Sequence, residues 1–203
     1  MEEVAVKQWV ADFFSDDHSG HDLDHIERVV KTATYLAKEE RLSAEEITNI
    51  RLLAYLHEML DHKFFPDQNA AEKNLETFLN EQGVGLVSQM VWAEAISQIS
   101  FSKRGDNNDV PFWVKIVQDA DLLDAIGAIG IARTFMYGAT RGSKMYDPIS
   151  AGVKDSSIIQ HFYDKLLTII DLLETDAAKK LGAKRQMMME DFLQAFYEEW
   201  EGH

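Results

Sequence analysis

Imidazoles and carboxylates recur in this chain at spacings that let a helix present them together. GHDLDHIERV sets His21 and His25 four residues apart, so on one helix both side chains share a face. In YLHEMLDHKFF, His57 and Glu58 sit at the end of a strongly apolar stretch, with Asp61 three residues further on. VKIVQDADLLDAIG carries Asp119, Asp121 and Asp124 among apolar residues. Asp121 and Asp124 flank Leu122 and Leu123, so at least one of them faces inward. There it needs a cation or a metal, because an unpaired buried carboxylate is very costly. HFYDKLL places His161 and Lys165 at i, i+4.

Taken singly, each of these features also suits a surface, capping or packing role. Together, imidazole and carboxylate are the donor set for Mn²⁺, Fe²⁺, Zn²⁺ and similar ions. Their supply from three separate segments is how helical bundles build internal metal sites. The chain has no cysteine, which removes disulfides, thiolate zinc sites and cysteine nucleophiles. No P-loop, dinucleotide fingerprint or Ser-His-Asp arrangement competes.

The elements that must position these groups read as helices throughout. Residues 3–14 place Val4, Val6, Trp9, Val10 and Phe13 on one side. SDDHSG breaks the chain, and a helix over about 22–40 carries the stripe Ile26, Val29, Val30, Ala33, Leu36 and Ala37. LSAEE is a capping box, with Ser43 as N-cap and Glu46 at N3, starting a helix to about Leu60. After FFPD, helices are predicted over about 69–82, 85–99 and 113–137, with a polar loop at 102–111. Residues 138–154 read as an excursion loop, and helices over about 156–180 and 183–200 close the chain. The small-residue string GAIGIA suits close helix packing.

A length of 203 residues suits one compact domain, and three prolines favour long helices over a turn-rich β fold. The expectation is therefore an all-α, single-domain helical bundle spanning 1–203. The acidic, amphipathic N-terminus is unlike a signal peptide, and no apolar run approaches the ~20 residues that span a bilayer. The expected location is the cytoplasm. A formal net charge of −15 repels nucleic-acid backbones and anionic membranes, so neither is an expected partner. A small anionic substrate is still compatible, given a few cations in one cleft.

In order, GHDLDHIERV, LLAYLHEMLDHKFF, QDADLLDAIGAIGIARTF and SSIIQHFYDKLL resemble the HD superfamily of metal-dependent phosphohydrolases, most closely its small single-domain bacterial members. The resemblance runs from about residue 18 to 200. It implies His25, His57, position 58 and Asp121 as metal ligands, with Asp119 as the alternative to Asp121. It implies Mn²⁺ first, with Mg²⁺, Fe²⁺, Ni²⁺ or Zn²⁺ as alternatives. His21 matches the proton-donating histidine of related phosphodiesterases, and Asp61 and Lys63 match a D-x-K segment at the pocket. One departure stands out: position 58 is Glu where the family has Asp, one methylene longer with the same charge.

The mechanism implied is hydrolysis by a metal-activated water. Glu58 or Asp61 would orient or deprotonate that water, and His21 would protonate the leaving oxygen. Lys63 heads the candidate cations for phosphate, followed by Arg28, Arg133 and Lys165, with His161 as a further pocket candidate. Arg28 is alternatively an i, i+4 partner of Asp24. Arg133 and Lys165 read equally well as surface residues, and His161 as a packing partner of Tyr163. The substrate expected is a nucleotide, with a nucleoside triphosphate cleaved to monophosphate and pyrophosphate. A 5′-nucleotidase-type monoesterase is the alternative, and a nucleotide-binding module weakened by Glu58 is another. The chain is expected as a monomer or homodimer.

Overall fold

The computed structural model describes residues 1–14, 22–99, 110–148 and 157–203. It is all-α, and its residues cluster into two compact units, Met1–Ala120 and Asp121–His203. Each unit is taken by itself below.

The first unit holds α1 (Glu3–Phe14), α2 (Leu23–Glu39), α3 (Ala44–Leu56), α4 (Gln68–Glu81), α5 (Leu86–Ser97) and most of α6 (Phe112–Asp124). The most extensive helix-to-helix packing here is α2 on α3. The whole predicted α2 stripe, from Ile26 to Ala37, is buried, and Ile50, Leu53 and Leu56 of α3 are buried as well. Asp22 caps α2, its carboxylate accepting the His25 backbone N–H at 2.9 Å. The Ser43–Glu46 capping box is present in full, and such a cap stabilises a helix by about 1 kcal/mol. On α1 the buried face is Val6, Val10 and Phe14, an i, i+4, i+8 row, while Val4 and Phe13 are exposed. The predicted α1 stripe was therefore displaced by about one position. Trp9 stacks on Phe78 of α4 at 4.2 Å, and Gln118 of α6 donates to the Gln98 carbonyl after α5.

Where α3 was expected to reach Leu60, it stops at Leu56. Met59 N–H donates to the Leu56 carbonyl and Asp61 N–H to that of Glu58, both i to i−3 bonds, so the last turn tightens and leaves the helix path.

In the second unit, α6 finishes and is followed by α7 (Gly127–Thr140), α8 (Ile158–Asp164), a 3-10 helix (Leu166–Leu172) and α9 (Asp176–Trp200). Its most extensive packing is α7 on α9. The single helix expected over 113–137 is interrupted at residues 125 and 126. Ala125 and Ile126 close on Leu122 and Leu123 by i to i−3 bonds, and Gly127 follows at φ +75°. That left-handed conformation suits glycine, and a Cβ there would meet the Arg185 stem at 2.9 Å. GAIGIA does take part in close helix-to-helix packing through Gly127 against α9, whereas Gly130 makes a local approach, where a Cβ would lie 2.2 Å from the Ala125 carbonyl oxygen in the break.

The two C-terminal helices expected on either side of residue 182 are divided elsewhere. Thr175 caps a continuous α9, and the preceding stretch is the short α8 and the 3-10 helix. Gly182, which falls between those two expected helices, lies inside α9 and is buried, where a Cβ would be 2.4 Å from Leu173 Cδ1. Close packing, not a turn, accounts for that glycine. The excursion loop expected from residue 138 begins after Thr140, and its residues 149–154 lie outside the described residues, as do 102–109 of the polar loop.

Candidate metal centre

His25 occupies the first turn of α2, held there by the Asp22 cap on its own N–H. His57 is the C-cap of α3, and Glu58 follows in the tightened turn. In a regular helix, adjacent residues do not face the same point. Leaving the helix at Leu56 removes that restriction. Glu58 Oε1 lies 3.6 Å from His57 Nε2 and 3.5 Å from His25 Nε2.

All three side chains are buried, and one donor atom from each lies within 4.8 Å of the others. Donors bound to one ion at about 2.1 Å stand roughly 3.0 Å apart at right angles and roughly 3.4 Å apart at the tetrahedral angle. The observed 3.5 and 3.6 Å therefore fit a divalent cation with little rearrangement.

The tautomer fits as well. His57 Nδ1 is 2.7 Å from the Ala54 carbonyl, which can only accept, so Nδ1 carries the proton. In the neutral imidazole, Nε2 then offers its lone pair toward Glu58. Orientation of a ligating histidine by a backbone carbonyl is a recurrent outer-shell arrangement. Sequence reading missed both supports, Asp22 and the Ala54 carbonyl. The first was signalled by an Asp three residues before the histidine; the second is a main-chain atom with no signature.

Asp61 is buried beside this group in sequence and organises the turn that follows. Its carboxylate accepts the Lys63 N–H at 2.9 Å, and its carbonyl accepts from Phe64 and Phe65. His62 is exposed, with Nδ1 3.5 Å from Asp61 Oδ1. Lys63 is exposed on the same turn, and Arg28 is half-buried on α2. Asp119 is buried in the part of α6 that belongs to the first unit. His18 and His21 lie outside the described residues.

The remaining expected site residues belong to the second unit. Asp121 is half-buried on α6 and Asp124 is buried, so an inward-facing aspartate is present as expected. Arg133 of α7 donates to Asp124 Oδ2 at 2.7 Å and to the Asp124 carbonyl at 3.3 Å. Arg185 of α9 donates to the Leu123 carbonyl, and burial lowers its pKa while Asp124 opposes the shift. His161 of α8 is exposed, and Lys165 forms the C-cap of that helix. Desolvation, and then the Lys165 charge, lower the His161 pKa below the usual histidine range. Among the described residues no single helix is long and apolar enough to cross a membrane.

No family model matches the chain. YpgQ of Bacillus subtilis strain 168 is 32% identical over 190 residues, 93% of this chain and 88% of its own. The crystal structure of B. subtilis YpgQ in complex with ADP superposes with a TM-score of 0.80 at 30% identity, covering 99% of both chains. The crystal structure of an HD-superfamily hydrolase from Bacillus thuringiensis gives 0.81 at 35% identity, covering 99% of this chain and 97% of that one.

Proposed function

Because this chain belongs to the HD superfamily of hydrolases, we propose that it is a metal-dependent phosphohydrolase that cleaves a nucleoside triphosphate to monophosphate and pyrophosphate. The observation that carries the reading is the convergence of His25 Nε2 and His57 Nε2 on Glu58 Oε1 in a buried site. A nucleotide is favoured because YpgQ crystallised with ADP. In this reading the whole chain, 1–203, serves as one functional domain in the cytoplasm.

Mn²⁺ is the proposed ion, held by His25, His57 and Glu58, with Asp121 taken as the further ligand on the resemblance alone. An ion held there would supply Lewis acidity for activating water and positive charge to offset phosphate oxygens. The chain's own groups do the rest. The Ala54 carbonyl fixes the His57 tautomer, so the ligand nitrogen is ready without a proton shift. The tightened turn lets the longer Glu58 side chain set Oε1 3.5 Å from His25 Nε2 and 3.6 Å from His57 Nε2. Asp61 orients the attacking water, Lys63 neutralises phosphate charge, and His21 gives the leaving pyrophosphate oxygen its proton. Arg28, His161 and Lys165 are proposed to contact the substrate. Arg133 is a weaker candidate, since its guanidinium is engaged by Asp124.

The test is to incubate the purified protein with Mn²⁺ and a panel of ribo- and deoxynucleoside mono-, di- and triphosphates, resolving nucleotide, phosphate and pyrophosphate. Monophosphate with pyrophosphate, abolished by His57→Ala and Asp121→Asn, is the expected result. Inorganic phosphate alone points to a monoesterase. Nucleotide binding without any product sinks the enzymatic reading and leaves a binding module.

A further inference from the structure

One helix of the first unit turns its apolar side chains outward. α5 buries Gln89, Ala95 and Ile96, and the Gln89 side-chain amide donates to Asn80 Oδ1 and to the Val84 carbonyl, both at 2.7 Å. Toward solvent it shows Leu86 at 72% exposure, Val87 at 79%, Met90 at 74% and Val91 at 54%. At about 100° per residue these four fall within roughly 140° of the helix circumference, so they form one stripe. A helix that serves a single core puts polar residues on that side. With glutamine in and leucine out, α5 has a second apolar face to cover.

Taken at roughly 150–200 Å² for a whole residue of this size, the stripe offers about 450 Å² of apolar surface, enough to mark an interaction site. An interface about 60% apolar then covers about 750 Å² per partner, against the ~800 Å² of a standard stable contact.

Charge indicates what the cover is. No Lys or Arg lies between Lys73 and Lys103, so α5 has no cation of its own for an anionic lipid surface or a nucleic acid. The formal net charge of −15 repels a second copy except where neither copy presents charge, and the stripe itself carries none. The one charged residue of α5 is Glu94, exposed a turn beyond Met90, with Oε1 accepting from the Gln98 amide at 2.7 Å. At its other end α5 starts from Gly85, which supplies no side-chain cap. An antiparallel pair centred on the stripe carries each Glu94 toward the other copy's uncapped N-terminus, where a carboxylate is favourable. A parallel pair instead sets Glu94 against Glu94.

We propose that the Leu86, Val87, Met90 and Val91 face is a homodimer interface, in which two copies of this chain pack α5 antiparallel on α5 about a two-fold axis.

The experiment is sedimentation velocity of the full-length protein over a concentration series, for wild type and Met90→Glu. Contacts of this size dissociate in the micromolar range or tighter, so wild type is expected to be dimeric at about 50 μM. Met90 faces solvent in the single chain, so Met90→Glu is expected to keep the helical circular dichroism of the folded protein. Two carboxylates brought together near the axis should raise Kd roughly a hundredfold or more and give a monomer. Orientation is read by cross-linking, which a cysteine-free chain makes site-specific. At 1.5 Å per residue, copies of position 90 lie about 5 Å apart along the antiparallel pair, and copies of position 97 about 25 Å apart. A short bis-maleimide is therefore expected to join Met90→Cys chains but not Ser97→Cys chains. Wild type that stays monomeric at the same concentration overturns the proposal, and its binding to phosphatidylcholine vesicles would then assign the face to lipid. A dimer indifferent to Met90→Glu places the contact elsewhere and overturns it too. Cross-linking through Ser97→Cys, or none through Met90→Cys, overturns the antiparallel pairing.

Discussion

Glu58→Gln isolates the metal centre from the fold. The amide has the shape of the carboxylate, and the side chain is buried beside two imidazoles, so the metal-free protein should unfold close to wild type. What changes is the charge on the one oxygen toward which both Nε2 atoms converge. Loss of an outer-shell partner already weakens metal sites about 10–100-fold, so if Glu58 is the anionic ligand proposed above, its removal belongs at the upper end or beyond. With Mn²⁺ at about 100 times the wild-type Kd, binding stabilises the native state by about 2.7 kcal/mol. For a chain of this length that raises Tm by roughly 5–11 °C. After a hundredfold loss, the same Mn²⁺ concentration only equals Kd, and the stabilisation falls to about 0.4 kcal/mol, a shift of roughly 1–2 °C. The assay is thermal unfolding with and without Mn²⁺ for both proteins, with His57→Ala as a second ligand deletion. A Glu58→Gln protein that keeps the full Mn²⁺ shift refutes the reasoning, because Glu58 would then contribute no charge to the site.

Three further outcomes are expected. Gly130→Ala drives a Cβ to 2.2 Å from the Ala125 carbonyl, where backbone has to yield. An overpacking cost near 3 kcal/mol less about 1 kcal/mol of helix propensity lowers stability by about 2 kcal/mol, read as a Tm drop of roughly 4–8 °C; an unchanged Tm contradicts the close approach. Arg133→Met removes the guanidinium that stands 2.7 Å from buried Asp124, while Arg185 still places a charge near that carboxylate. The loss should be about 2 kcal/mol in urea unfolding, with at least half recovered when Asp124→Asn is added. Glu27 has its pKa lowered from 4.5, first by the Lys7 hydrogen bond and also by the charges of Lys7 and Lys31. A depressed carboxylate stabilises the fold above its unfolded pKa and loses that contribution as pH falls through the folded value. The stability gap between wild type and Glu27→Gln should therefore be under about 1 kcal/mol near neutrality, shrink in high salt and close on acidification as Glu27 itself takes up its proton. A gap that widens on acidification would reverse the assigned sign.

Much of the fold was legible because it rests on local chemistry. The Ser43–Glu46 box and the α2 stripe from Ile26 to Ala37 are set by residues within a few positions of one another, and the structure has both as read. The same holds for the donor types at 25, 57 and 58, which a sequence states outright. Their proposed use as ligands rests on the ordered resemblance and not on spacing, as do the proposed roles of Asp61, Lys63 and His21.

Other features required the third dimension. Gly182 falls between two expected helices and Gly127 inside one, yet Gly182 is a packing contact inside α9 and Gly127 follows a true break. Both meet a distant side chain, Arg185 or Leu173, but only Gly127 stands at positive φ after i to i−3 closure of the preceding turn. The unexpected early end of α3 is likewise a matter of hydrogen-bond closure, and it lets two consecutive residues address one point. The outward apolar stripe of α5 had no sequence signal, because a helix with apolar residues on every side does not show which of them the core takes. Sequence determined which chemical groups were present and which faces were apolar. Tertiary structure decided which groups meet, because distance and desolvation arise only when separate segments pack.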